Sequence, residues 1–246
     1  MKGVDLIAHR DPSAMQNATL SPIPLLRRSF ELVGPIYWPL LILASPGFIL
    51  AIVTELTPLL GDILRPAYGI VAPILGGAAL WLVDQHLKRQ APLLGNSLDR
   101  ALSKAVPLVF GSILVGLLSF LSSLLLILPG IYVGVRLVFT PCAIALENRG
   151  ATEGLRYSWN LVKDRWWGVF WALVVPGLIL AVVFFVFVVF AGVVFAGVLG
   201  SILGFDGTVL GLVPGVVGGV AVTPLAWTYI VLLFRSLQRL KGQAAS

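Results

Sequence analysis

The chain has 246 residues, of which 58% are hydrophobic and only 11% are charged, and its mean hydropathy is +0.98. Soluble domains carry roughly 25% charged residues, so this composition excludes an ordinary cytosolic enzyme, a disordered protein and a secreted disulfide scaffold. The net charge of +6 does not indicate nucleic acid as a partner, because no basic run is interleaved with aromatic residues on which bases would stack. The composition predicts a polytopic membrane protein that is surrounded by the lipid bilayer.

Residues 1–21 are polar and lack the apolar core of a signal peptide, so we expect a cytoplasmic tail there. A single transmembrane domain follows over residues 22–240, and residues 241–246 form a second cytoplasmic tail. Since about 20 apolar residues cross the hydrocarbon of a bilayer, the apolar runs predict six spans. They cover about 35–54, 67–83, 107–128 and 131–146, and then the stretches between Arg165 and Asp206 and between Asp206 and Arg235.

The basic residues predict which side of the membrane each loop faces. With both termini in the cytoplasm, fifteen of the seventeen Lys and Arg residues lie on the cytoplasmic side, Arg65 faces outward and Arg136 lies within a span. Cytoplasmic loops of membrane proteins carry an excess of Lys and Arg. The sequence therefore predicts six spans with the N and C termini in the cytoplasm.

The stretch between Arg165 and Asp206 permits two interpretations. Its forty uncharged residues would form about 60 Å of helix at 1.5 Å per residue, about twice the thickness of the hydrocarbon. Two short spans would fit and would raise the total to seven, but they would place the C-terminal basic residues outside. We therefore favour one overlong span that is bent or broken near Pro176-Gly177.

Two segments of the chain repeat each other. Residues 26–33 (LRRSFELV) and 155–162 (LRYSWNLV) are identical at five of eight positions, and residues 100–108 are a weaker third copy. The first two have the apolar spacing of an amphipathic helix. The chain is therefore predicted to be an all-α integral membrane protein with six transmembrane helices. These form three parallel repeats of an amphipathic interfacial helix plus a transmembrane hairpin, at about 22–84, 93–147 and 152–235.

Arginines in or near the membrane are the candidates for an anion or lipid-headgroup site. Arg136 lies within the fourth span, where an unpaired charge is costly, so one interpretation is a site for an anionic headgroup or solute. The alternative is structural: its side chain reaches outward or bonds to carbonyls freed by nearby prolines. The amphipathic helices bring further arginines close to lipid phosphate. The candidate anion-binding residues are Arg136, Arg27, Arg28 and Arg156.

Small residues recur every four positions in the third hairpin, on both sides of Asp206. Such stripes let two helix backbones approach closely. Either the two stripes face each other within the hairpin, or one of them docks a membrane-protein partner at residues 166–234. The predicted helix-packing residues are Gly192, Ala196, Gly200, Gly204, Gly207, Gly211, Gly215 and Gly219.

Three segments resemble a known family: LPGIYVGVRLVFTPCAIALENRG at 128–150, TEGLRYSWNLVKDRWWGVF at 152–170 and LLFRSLQRL at 232–240. The chain resembles the prokaryotic membrane-domain family of glycerophosphodiester phosphodiesterases and related uncharacterised six-span membrane proteins. The resemblance implies a six-helix fold in a prokaryotic cytoplasmic membrane, or in an internal membrane derived from it. It carries over no catalytic residue, because the phosphodiesterase chemistry of the fused proteins belongs to a separate soluble barrel domain.

The polar residues do not predict catalysis. The His, Cys, Asp and Glu residues show no metal-ligand spacing, and every carboxylate lies in a tail, in a loop or at the end of a span. We therefore expect no catalytic residue, no cofactor and no metal. The sequence favours a non-enzymatic protein that acts through helix–helix contacts, as an accessory subunit, assembly factor or scaffold of a membrane complex. The alternative is a transporter or lipid-handling protein for an anionic lipid or small solute.

A reporter that is active only in the cytoplasm tests the predicted orientation when it is fused to the C-terminus. Six spans return the chain to the side on which it started, so the activity of this reporter in whole cells should be high. A silent reporter would contradict the six-span arrangement, because an odd number of spans would place the C-terminus outside.

Overall fold

The computed structural model of the protein describes residues 21–90, 93–125, 127–194 and 207–244. Within these residues every regular element is helical, and no strand is present. Two short 3-10 turns, Gly34–Ile36 and Lys163–Arg165, connect the first and the eighth α-helix to the helices that follow them. The α-helices of the described chain are α1 (Pro22–Val33), α2 (Tyr37–Leu56), α3 (Pro58–Leu87), α4 (Leu94–Leu102), α5 (Ala105–Leu125), α6 (Ile127–Leu137), α7 (Thr140–Leu146), α8 (Ala151–Val162), α9 (Trp166–Val194) and α10 (Gly207–Ala244).

Five stretches of the described chain are long and apolar enough to cross a membrane. They overlap the first five predicted spans, so the chain has the helix lengths and the composition of a polytopic membrane protein. The sixth predicted span falls in α10, which is helical over 38 residues. The five stretches are Pro22–Thr54, Pro58–Leu87, Ala105–Leu124, Leu128–Leu146 and Ala151–Val194.

α1 and α8 are amphipathic, as the spacing of their apolar residues predicts. Each has twelve residues and continues through a three-residue 3-10 turn into a helix that begins with an aromatic residue, Tyr37 or Trp166. A serine lies within the buried face of each helix, Ser29 in α1 and Ser158 in α8, and both serines are completely buried. Each helix therefore packs one face against the bundle.

Prolines do not end the long helices, but a short break divides the fourth predicted span. α9 is continuous through Pro176 to Val194, so of the two predicted alternatives near Pro176-Gly177, a bend or a break, the break is absent. Pro176 is buried against the bundle, where neighbouring helices support a helix that has lost one backbone hydrogen bond. In the fourth predicted span, α6 ends at Leu137 and α7 begins at Thr140.

The hydrophobic core lies at one end of the helix bundle, beside α1, α4 and α8. Its buried residues come mainly from the start of α2, the last turns of α3, most of α7 and the C-terminal half of α10. We call this region the packed end. Beyond Pro176, no described residue of α9 is buried. The largest fully buried side chains of the packed end include Leu40, Leu82, Phe139, Ile144, Leu233 and Phe234.

Candidate functional site

Arg235 joins the ends of two other helices through ion pairs. Its Nε and Nη2 atoms both lie 2.7 Å from Oδ1 of Asp84, in the last turn of α3. Its Nη1 donates a hydrogen bond of 2.6 Å to Oε1 of Glu147, which directly follows α7. One guanidinium on α10 thus bridges two carboxylates, and we call these three residues the charge cluster.

Polar neighbours complete the charge cluster. Lys88 Nζ lies 2.7 Å from Oδ2 of Asp84, so both oxygens of this carboxylate are paired. Gln238 accepts a hydrogen bond of 2.7 Å from Arg235 Nη1 and donates one of 2.8 Å to the hydroxyl of Tyr157 on α8. The network therefore connects α3, α7, α8 and α10 at the packed end.

Asp84 is the most deeply buried member of the charge cluster. Only 2% of its surface is exposed, whereas the side chains of Arg235 and Glu147 are 23% and 29% exposed. A buried carboxylate is costly unless it is paired and hydrogen-bonded. The need to give Asp84 its partners therefore constrains how the ends of α3, α7 and α10 meet.

In the sequence, Asp84, Glu147 and Arg235 are only charges at the ends of predicted spans. A signal of their role is nevertheless present. Each residue directly follows an apolar run in the second helix of a predicted hairpin, and one cation stands against two anions. If the three helix ends meet, charges of opposite sign at these places predict an ion pair.

Arg136 is held within the chain at the end of α6. Only 6% of its surface is exposed; its Nη1 donates a hydrogen bond of 3.0 Å to the carbonyl oxygen of Trp159, and its Nη2 donates to the hydroxyl of Tyr132. The guanidinium carbon lies 4.8 Å from the ring centroid of Trp159 and 4.9 Å from that of Tyr132, which is cation–π geometry. The contact to a carbonyl is of the kind expected for a structural role, but this carbonyl lies in the last turn of α8 and is not one freed by a proline. The buried Nε has no hydrogen-bond partner among the described residues, and an anion at this position stays a prediction.

Ser158 closes the break between α6 and α7. Its hydroxyl donates a hydrogen bond of 2.7 Å to the carbonyl oxygen of Arg136 and accepts one of 3.2 Å from the backbone N–H of Phe139. Buried backbone groups at a helix end need such partners. α8 is thereby fixed against the point at which the fourth predicted span is interrupted.

Two cavities lie beside the amphipathic helices, and basic side chains line both of them. The α1 recess has a volume of about 360 Å³, and the α8 recess one of about 310 Å³. The charged lining residues are Arg28, Lys88, Arg235, Arg239 and Asp84 in the α1 recess, and Arg149, Arg156, Lys241 and Glu153 in the α8 recess.

The four predicted anion-binding arginines do not form one site. Arg28 lines the α1 recess, and Arg156 lines the α8 recess. Arg27 lies outside both recesses, where its Nε is 3.4 Å from a carboxylate oxygen of Glu31 and the side chains are exposed. Arg136 is enclosed between α6 and α8. The structure therefore separates these residues into two open recesses, one surface ion pair and one buried contact.

α9 and α10 approach each other closely at Gly218. A β-carbon at this position would lie 2.8 Å from the ring of Phe184 in α9, so the contact requires glycine. A β-carbon at Gly219, a member of the predicted stripe, would lie 3.2 Å from the ring of Phe48 in α2, and nothing lies within 4 Å of one at Gly215. Of the other predicted packing residues, Gly192 lies near the end of α9, Gly207 and Gly211 lie in the first turns of α10, and Ala196, Gly200 and Gly204 lie outside the described residues.

The packed end offers charge rather than metal-binding or nucleophilic groups. In the part of the chain that the structure describes, no group of three or more His, Cys, Asp or Glu side chains could hold a metal ion. Cys142 is a free thiol that is completely buried in α7. The accessible chemistry at this end is therefore the basic lining of the two recesses.

The family described as a domain of unknown function (DUF7847) matches residues 93–237, which is more than half of the 246 residues. The matched range includes Arg136, Glu147 and Arg235, but it begins after Asp84. No curated protein and no solved structure matches the chain.

Replacing Arg235 with methionine should destabilise the protein, because it leaves Asp84 buried with Lys88 as its only ion-pair partner. Removal of one partner costs about 3 kcal/mol or more when it leaves a buried charge unpaired, and the remaining ion pair with Lys88 should keep the loss below that value. Thermal unfolding of the full chain in mild detergent measures this loss as a lower Tm. Arg65→Met is the matched control, since the ion pair of Arg65 with Asp62 is exposed. Equal Tm values for the two variants would contradict the role of the charge cluster.

Proposed function

The chain belongs to the family of the domain of unknown function DUF7847, and for this member of it we propose a non-enzymatic role in the membrane. The protein acts through helix–helix contacts, as an accessory subunit, assembly factor or scaffold of a membrane complex. Its partner is another membrane protein, which contacts the third predicted hairpin at residues 166–234. The feature that carries this proposal is α9.

The second half of α9 adds no buried residue to the packing of the described chain. The buried residues of α9 are Val169, Ala172 and Pro176, all in its first half. The following eighteen residues to Val194 include no buried residue, and large apolar side chains such as Phe185 and Phe190 are 67% and 72% exposed. A helix that is apolar on all sides is suited to a wholly apolar environment, which lipid or a second transmembrane helix supplies.

The length of α9 favours a protein partner over lipid alone. Its 29 residues carry no charge and extend about 44 Å at 1.5 Å per residue, against about 30 Å of hydrocarbon. A tilt of about 45° would be needed to contain this length, whereas membrane helices tilt by about 20° on average and within a range of about 0–40°. The chain also stays uncharged from Val194 to Asp206. A partner that covers the surplus would shield these apolar side chains from the headgroups.

Four buried polar side chains of the packed end support a non-enzymatic role, although Thr140 Oγ1, which is also buried there, has no hydrogen-bond partner among the described residues. Ser29 and Thr228 donate hydrogen bonds of 2.8 Å and 2.9 Å to carbonyls of their own helices. Ser158 bonds to the backbone at the helix break, and Asp84 is paired with Arg235. Each of these side chains is therefore engaged in a contact that supports the fold.

We further propose three repeats and six spans for the architecture. α8 and its 3-10 turn begin and end 129 residues after α1 and its 3-10 turn, which is the offset between the two matching sequence segments. α4 supports a third copy: Ser97 is completely buried and donates a hydrogen bond of 2.9 Å to the carbonyl of Leu93, as Ser29 does in α1. The segment PLLRRSFE at 24–31 then aligns with PLLGNSLD at 92–99, so the third copy moves from residues 100–108 to 92–99.

The orientation and the membrane complete this proposal. The excess of basic residues on one side of the predicted spans supports N and C termini in the cytoplasm. The resemblance to prokaryotic six-span proteins supports a prokaryotic cytoplasmic membrane, or an internal membrane derived from it.

A second candidate function is the handling or transport of an anionic lipid or small solute. The observation that favours it is the basic lining of the α1 recess and the α8 recess. Both recesses lie beside amphipathic helices, which typically occupy the headgroup layer of a membrane. Arginine and lysine at that depth attract anionic headgroups.

Photocrosslinking in native membranes tests the scaffold proposal. A photoreactive phenylalanine analogue at Phe190 should crosslink to one discrete protein, because α9 is proposed to contact a partner. The same analogue at Phe120 in α5 is the matched control, since Phe120 is also exposed, at 65%, and should yield only lipid adducts. The crosslinked protein should also co-purify in mild detergent at a fixed ratio to the chain. Lipid adducts alone at both positions would contradict the proposal.

A further inference from the structure

We propose that the α1 recess binds the phosphate group of an anionic membrane lipid, with Arg28 and Arg239 as its ligands. The inference rests on the second candidate function and assigns it a site and a chemical group. The two arginines come from α1 and α10, the first and the last helices described, and both side chains are exposed at the recess.

The distribution of charge in the α1 recess leaves two cations without a counter-ion. Arg235 and Lys88 are neutralised by Asp84 and Glu147, with N–O distances of 2.6–2.7 Å. Arg28 and Arg239 line the same cavity, and among the described residues neither forms an ion pair. Two positive charges suit a phosphomonoester headgroup, which carries a charge of about −1.5 to −2 at pH 7.

The α8 recess is less suited to the same ligand, because two of its three cations, Lys241 and Arg149, are already engaged and only Arg156 has no such contact among the described residues. Lys241 Nζ donates a hydrogen bond of 2.8 Å to the carbonyl oxygen of Asn160. The guanidinium of Arg149 lies 4.2 Å from the ring centroid of Tyr157, and Glu153 adds a negative charge to the lining. This comparison favours the α1 recess as the phosphate site.

The lining of the α1 recess fits a lipid better than a free ion. Leu25, Leu87 and Leu232 form its apolar part, next to the charged groups. A volume of about 360 Å³ exceeds what inorganic phosphate alone would fill, since one water molecule occupies about 30 Å³ in the liquid. A headgroup with the beginning of its acyl chains would contact both parts of the lining.

Arginine is the appropriate residue for this contact. The planar guanidinium presents paired N–H donors that match two oxygens of a phosphate, and such charge-assisted hydrogen bonds are stronger than neutral ones. Because Arg28 and Arg239 lie on separate helices, one bound phosphate would connect α1 to α10. The lipid is therefore expected to stabilise the packed end against unfolding.

The test uses the purified full chain in mild detergent, titrated with dioctanoyl phosphatidic acid, with dioctanoyl phosphatidylcholine or with inorganic phosphate. Native mass spectrometry counts the bound lipids, and thermal unfolding reports the stabilisation. The wild-type protein should bind one phosphatidic acid and show a rising Tm. The variant Arg28→Gln/Arg239→Gln should bind it about tenfold or more weakly, because two charge-assisted contacts are lost.

The variant Arg27→Gln/Arg65→Gln is the matched control. It removes the same number of charges from exposed ion pairs outside the recess, and it should bind phosphatidic acid like the wild type. Arg28→Lys/Arg239→Lys keeps both charges without the guanidinium geometry and should show intermediate affinity. The lipid-free Tm of all three variants should remain close to that of the wild type, since the substituted side chains are exposed.

Three results would overturn the inference. Unchanged affinity for phosphatidic acid in Arg28→Gln/Arg239→Gln would place the lipid elsewhere. If Arg156→Gln then abolished the binding of phosphatidic acid, the second candidate function would still stand and only the α1 recess would be refuted as its site. Equal stabilisation by inorganic phosphate at the same concentration would assign the site to a free ion. If the wild type bound neither lipid, both this site and the second candidate function would fail.

Discussion

The ion pairing of Arg235 with Asp84 and Glu147 is the constraint around which the packed end is arranged. The two carboxylates are 151 and 88 positions away from Arg235 in the chain, so three remote helix ends must meet before the buried Asp84 has its partners. Hydrophobic attraction does little to choose among such arrangements inside a membrane, because lipid tails are as apolar as leucine. Polar contacts and close backbone approaches therefore carry much of the specificity.

Other polar contacts at the packed end also fix the position of one helix against another. Ser158 provides hydrogen-bond partners for the backbone where α6 gives way to α7, and the buried Arg136 bonds to the carbonyl of Trp159 in α8. Both place α8 against the interrupted fourth span. Close packing acts beside these polar contacts: a β-carbon at Gly218 would lie 2.8 Å from the ring of Phe184, so the lack of a side chain at Gly218 allows α9 and α10 to approach closely there.

The two halves of the molecule suit different partners. At the packed end, neutralised ion pairs form the floor of a basic recess, and uncompensated arginines remain at its rim. Away from it, α9 is uncharged and largely exposed beyond Pro176. An anion and an apolar helix are the complementary ligands for these two surfaces. The two proposed ligands, a lipid headgroup and a membrane protein, would therefore bind at separate places on the chain.

The sequence by itself determined the all-helical character, the long apolar helices and the amphipathic helices α1 and α8, because these depend on local composition and on apolar spacing that any helix displays. It also marked residues 26–33 and 155–162 as related. Of the bend or break predicted near Pro176, the break is absent, since a proline buried against neighbouring helices does not have to end a membrane helix. Only the tertiary structure paired Asp84 and Glu147 with Arg235, gave Arg136 its contacts and created the two recesses. Those features depend on which remote helix ends come together. Local sequence patterns do not show which residues far apart in the chain lie close together in space.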